Sequence, residues 1–142
     1  MLNELGVAML MVVLTTLMHV TGLIVISRLL RLVPEKVGLS EHGLLRQAYA
    51  SVALVLGLMT LHGLEIWAYA AVFVQLEAVA DIRTAVYFST ISYAAIGYSD
   101  AAIDKSRALV AAIEGINGLV LIGWSTAYLV MIMSRVRRSA KP

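Results

Sequence analysis

The sequence predicts an all-α membrane protein: three transmembrane helices plus a shorter re-entrant helix whose returning segment is not helical. Three observations carry this. Hydrophobic residues make up 61% of the 142-residue chain and charged residues only 14%, outside the range of soluble globular domains. The charges lie mainly between and beyond long apolar runs rather than alternating with them. Finally, Thr84–Ser99 is uncharged yet shorter than the roughly 20 residues a spanning helix needs. It runs into Ala95-Ile96-Gly97-Tyr98-Ser99-Asp100, which reads as irregular backbone. Lipid cannot satisfy such backbone, so the segment must be buried in protein or line a watery cavity.

Leu5–Ile26 is uncharged and at helical rise reaches about 33 Å, enough for a bilayer core. Only Glu4 is charged before it, whereas a signal peptide opens with a basic stretch and has a shorter apolar core. Residues 1–32 are therefore expected to form a retained first span. It has no arginine ladder of the voltage-sensor kind. His19 lies within it; no metal or proton partner is visible at helical spacing, so a hydrogen bond to a neighbouring helix is expected. Residues 33–45 read as a linker broken by Pro34 and Gly38, with Ser40 and Glu41 as an N-terminal signal for the next helix. Residues 46–134 read as one unit: a second helix from about Arg46 to Gln75, the re-entrant element, and a third helix from about Lys105 to Ser134. Residues 135–142 are a basic tail.

Arg28, Arg31, Lys36 and Arg46 cluster after the first span, and Arg135, Arg137, Arg138 and Lys141 follow the last. The positive-inside rule puts both groups in the cytoplasm. The N-terminus then lies outside a plasma or inner membrane, and the re-entrant element dips from the outer face. The basic clusters could also meet anionic lipid, although topology accounts for them. Cysteine is absent, which removes disulfides and thiolate metal sites and leaves the redox compartment unreadable. No basic patch with interleaved aromatics suggests nucleic acid. No nucleophile–base pair or metal motif has useful spacing, so an enzyme is the least expected class.

Ala95–Asp100 resembles the selectivity filter of tetrameric potassium channels, T-V/I-G-Y/F-G-D. Ile96, Gly97, Tyr98 and Asp100 match, while Ala95 stands for threonine and Ser99 for the second glycine. Ala85-Val86-Tyr87-Phe88 occupies the place of the family's pore-helix aromatics, and the resemblance extends from about Gln47 to Ser134. It implies a four-fold homotetramer, each chain contributing one filter strand whose carbonyls replace the water shell of potassium or another monovalent cation at Ala95, Ile96, Gly97 and Tyr98. Calcium or nucleotide gating is expected to need another chain, since no soluble domain follows up to Pro142. Asp81 is the candidate N-cap of the pore helix, about Ile82–Tyr93, whose negative C-terminal end then favours a cation in the cavity. Tyr87 and Phe88 would support the filter, with Phe88 where the family often has a tryptophan that bonds the filter tyrosine. Phe88 cannot donate, so Tyr98 needs another partner.

The two departures bear on selectivity. Ala95 lacks the hydroxyl that forms the family's innermost ion site. Ser99 stands where glycine accepts left-handed backbone at no steric cost, a geometry that costs an L-residue about 1–2 kcal/mol. Weaker discrimination between potassium and sodium is expected, improved by Ala95→Thr with Ser99→Gly.

His62 and Glu65 share a face of the second helix, and Glu114 and Asn117 a face of the third. Both glutamates lie roughly 8 to 9 Å outward of their helix centres, at the depth where the re-entrant helix ends. Intramembrane ionisable groups suggest function, and three readings stand. The carboxyls could share or sense a proton. His62, Glu65 and Glu114 could hold a metal. Or the groups brace the pore helix from behind, which is favoured because buried polar groups usually satisfy one another. Asn117 could instead face the ion cavity. Gly118 is placed by the resemblance near the inner helix's gating hinge, with close packing as the alternative. Ile122, Ser125, Thr126 and Leu129 are expected along the lower pore. The sequence thus suggests a homotetrameric cation channel without a cofactor; a non-conducting membrane subunit on the same scaffold is the alternative.

Overall fold

The computed structural model describes residues 2–31, 42–97 and 103–139, and all their regular structure is helical. Helix α1 is Leu2–Arg31, α2 is His42–Gln75, α3 is Ile82–Tyr93 and α4 is Ala108–Ser139, the last entered through a single 3-10 turn at Lys105–Arg107. Three of these, α1, α2 and α4, are long and apolar enough to cross a membrane. Helix α2 thus begins before Arg46. Helix α4 extends through residues 135–139, and Lys105 belongs to the 3-10 turn.

Surface composition gives the physical reason for a membrane setting. Leu10 and Leu17 on α1, Leu56 and Met59 on α2, and Leu119 and Val120 on α4 all point outward. Helices apolar all round belong in a core or in lipid. Glu4 lies in the first turn of α1 and Arg28 and Arg31 in its last, each sign complementing the helix dipole.

Helix α1 packs on α2 and α4, and α3 is held between α2 and α4. Two apolar cores fix the directions. One gathers Ala8 and Met11 of α1, Tyr69 and Phe73 of α2, Phe88 and Tyr93 of α3, and Val110, Ala111 and Leu121 of α4. The other joins Leu23 and Ile26, Leu54, Leu58 and Leu61, and Tyr128. Helix α1 therefore runs antiparallel to α2 and parallel to α4, and α3 lies at the end where α1 begins. In lipid no hydrophobic force drives helices together, so close packing and polar contacts must do so.

The turn from α2 to α3 is built by hydrogen bonds to the last carbonyls of α2. Ala78 N–H donates to Phe73 O at 2.9 Å and Glu77 N–H to Val74 O at 3.0 Å, with Glu77 at φ 52°. This is a Schellman motif, whose left-handed residue is usually glycine. Three residues short of Thr84, Asp81 starts α3: its Oδ1 accepts from Thr84 N–H at 3.0 Å and its Oδ2 from the Thr84 hydroxyl at 2.7 Å. These bonds, the backbone one foremost, hold the exposed Asp81 carboxyl below its ordinary pKa of 3.8.

Candidate functional site

Helix α3 ends in a second Schellman motif. Ile96 N–H donates to Ile91 O at 3.0 Å and Ala95 N–H to Ser92 O at 2.9 Å. Ala95 takes φ 54° and Gly97 φ 100°, while Ile96 between them stays out of that region. Positive φ at alternate residues is the backbone pattern that turns successive carbonyls toward one side. The expected extended strand is not present over Ala94–Gly97, which forms a turn and then irregular backbone. Tyr98, Ser99 and Asp100 lie outside the described residues. Ile96 is 74% exposed, and beside it a groove of about 270 Å³ is lined by Ala95, Gly97, Gly115, Ile116 and Leu119.

Glycines on α4 make room for the end of α3. A Cβ on Gly118 would collide with the backbone carbonyl of Tyr93, and one on Gly115 would sit 3.1 Å from Ser92 O. Helix α4 runs through Gly118 without a break, so the structure gives this residue a packing reason to be small. Ser92 Oγ donates to Ala111 O at 2.8 Å across the same contact. Phe88 is buried edge-on against Phe73, ring centres 5.4 Å apart, whereas Tyr87 points outward.

Behind α3 the polar side chains fall into neighbouring groups. Glu65 is fully buried. Its Oε1 lies 2.9 Å from His19 Nδ1 and its Oε2 3.1 Å from His62 Nδ1. The Tyr93 hydroxyl donates to Oε2 as well and lies 3.0 Å from His62 Nδ1. On its far side His19 Nε2 is 3.4 Å from Ser125 Oγ. Glu114, also fully buried, takes a hydrogen bond from Ser89; Ser89 Oγ also lies 3.1 Å from Ile66 O. Asn117 donates to Thr15 Oγ1 at 2.8 Å and to the Tyr69 hydroxyl at 3.1 Å.

The structure therefore joins His62 to Glu65 and puts Glu114 and Asn117 in adjacent groups. Among the described residues no hydrogen bond links Glu65 to Glu114; each takes a bond from a different residue of α3. Asn117 turns into the bundle, not toward an ion cavity, and Ser125 faces His19 instead of lining the lower pore. Ile122 and Leu129 pack against the two cores, leaving Thr126 exposed. Sequence reasoning missed Tyr93, Ser89, Thr15, Tyr69 and the partner of His19. A usable signal was present: Thr15 and His19 sit one helical turn apart, as do Ser89 and Tyr93, so each pair shares a face.

A short capped helix is wedged between two spans and is followed by left-handed backbone at Ala95 and Gly97. The profile described as ion channel matches residues 59–135, more than half of the chain. The chain belongs to this ion channel family, in its two-helix potassium-channel type, with α1 as an additional helix ahead of the matched region. Neither the curated proteins nor the solved structures contain a significant match.

Proposed function

We propose that four copies of this chain surround one axis in a cell membrane and conduct monovalent cations, potassium among them, through a filter built from Ala95–Asp100. The observation that carries this reading is the pair of positive φ angles at Ala95 and Gly97 directly beyond the C-terminal end of α3. Carbonyls turned to one side can replace a cation's hydration shell, provided strands from several chains face one another. One copy cannot surround an ion. The exposed Ile116, Leu119 and Val120 of α4 offer an apolar face for neighbouring copies on the side of the loop. The dipole of α3 adds negative potential at its C-terminal end. The domain division of the sequence fits this reading, with 46–134 as the pore unit and α1 as an outer helix. The N-terminus is assigned outside and the C-terminus to the cytoplasm, where the positive-inside rule puts the basic residues.

The test is cation flux through the purified protein in liposomes. Potassium-driven flux under a potassium gradient supports the reading. A folded protein that passes neither potassium nor sodium would assign the scaffold to a non-conducting membrane subunit.

A further inference from the structure

The group around Glu65 is chemically distinct from the filter. We propose that His19, His62 and Glu65 form a binding site for a divalent first-row transition ion of the zinc class, one per chain. One ligand atom from each of the three lies within 4.8 Å of the others. Both histidines present Nδ1 to the carboxylate, at 2.9 and 3.1 Å. Bonds of about 2.0–2.1 Å around a tetrahedral ion put ligand atoms about 3.3 Å apart, so the three ligand atoms, within 4.8 Å of one another, would close by up to about 1.5 Å around an ion.

The donor chemistry selects the ion. Two imidazoles and one carboxylate suit zinc, iron, nickel or copper, whereas calcium and magnesium take oxygen ligands. The outer atoms fit as well. His19 Nε2 faces Ser125 Oγ at 3.4 Å, the second hydrogen bond that orients a ligating imidazole. The Tyr93 hydroxyl bonds Glu65 and stands 3.0 Å from His62 Nδ1, at the fourth side of the group. Charge points the same way. A buried carboxylate needs a positive partner, and the groups bonded to Glu65 among the described residues are two imidazoles and a phenol, with no lysine or arginine. His19 and Glu65 are fully buried, and the His62 side chain is 12% exposed. The ion would tie α1 to α2 beside the last residue of α3.

The experiment uses the full chain in detergent, freed of any affinity tag and stripped with a chelator. It is titrated with Co²⁺, followed by its visible absorption, and then with Zn²⁺. One Co²⁺ per chain with the bands of a four- or five-coordinate site, displaced by Zn²⁺, is the expected result. His62→Gln should weaken binding at least tenfold, and His42→Gln, which changes the remaining histidine, should not weaken it. Zn²⁺ should also raise the melting temperature of the parent and not of His62→Gln. A folded parent that binds no Co²⁺ would overturn the proposal. Binding of equal strength in a His19→Gln/His62→Gln variant would overturn it too.

Discussion

Ala95 and Glu77 are L-residues at φ 54° and 52°, in positions that close helices and usually hold glycine. Left-handed backbone costs an L-residue roughly 1–2 kcal/mol, and glycine returns roughly 0.4–1 kcal/mol of that through the freedom of the unfolded chain. Glu77→Gly, at an exposed turn, is therefore expected to stabilise the protein by about 1 kcal/mol, read as a higher melting temperature in detergent. At Ala95 the same angle alters how the proposed filter would be repaired. Threonine would restore the missing hydroxyl but is β-branched, which makes this backbone region a genuine outlier. Ala95→Ser with Ser99→Gly is expected to improve potassium over sodium discrimination with less loss of stability than a variant containing Ala95→Thr. Reversal potentials under opposed potassium and sodium gradients measure it; a parent already strongly potassium-selective would refute the premise that the departures weaken the filter. Asp81 gives a pH dependence of known sign. Its pKa is depressed in the folded chain, so its stabilisation is complete above the unfolded value and fades as pH falls through the lower folded one. Acid melts of the parent should show this loss, and Asp81→Ala should already lack the contribution at neutral pH.

At the scale of the element, the contact between α3 and α4 is the tightest test of the fold. Gly118→Ala places a methyl against the Tyr93 backbone, which cannot rotate away. Overpacking of this kind costs about 1–3 kcal/mol or more, and Gly115→Ala, with its looser contact, should cost less. Thermal melts of the two variants in detergent compare them. Ser89→Ala should cost about 1–3 kcal/mol, because it removes a hydrogen-bond donor from the buried Glu114 carboxyl; Glu114→Gln, which keeps an acceptor, should be milder. The spans themselves were legible because length and lack of charge suffice to define them. The extent of α3 was legible through Asp81 before it and the glycine-containing loop beyond it. Helix rotation was not legible, and for a physical reason. A helix that faces lipid is apolar on its outside as well as its inside, so the periodicity that marks the buried face of a soluble helix is lost. Asn117 could thus be read as facing the cavity, and His19 as lacking a specific partner, until the packing of α1 was known. The left-handed angle at Ala95 gave no sign in the sequence, since alanine does not advertise it.

For the whole molecule, the assembly is the first quantity to measure. A filter contributed one strand at a time requires a ring, and native mass measurement in mild detergent is expected to give a tetramer; a stable monomer or dimer would sink the proposed pore. The ring would be built from units stiffer than two helices and a loop alone. Asn117 reaches Thr15, Ser125 faces His19, and the Tyr128 hydroxyl lies 2.6 Å from Ser27 Oγ, so polar contacts lace α4 to the parallel α1 at successive heights. Helix α1 is in effect a splint. A laced column bends only when its splint bends with it, and the contacts are made in a medium that offers them no water in exchange. In the proposed pore α4 would be the frame rather than the moving leaf. Opening and closing of that proposed pore would then fall to the stretch that carries no splint, the exposed backbone that leaves Tyr93 and passes through Ile96.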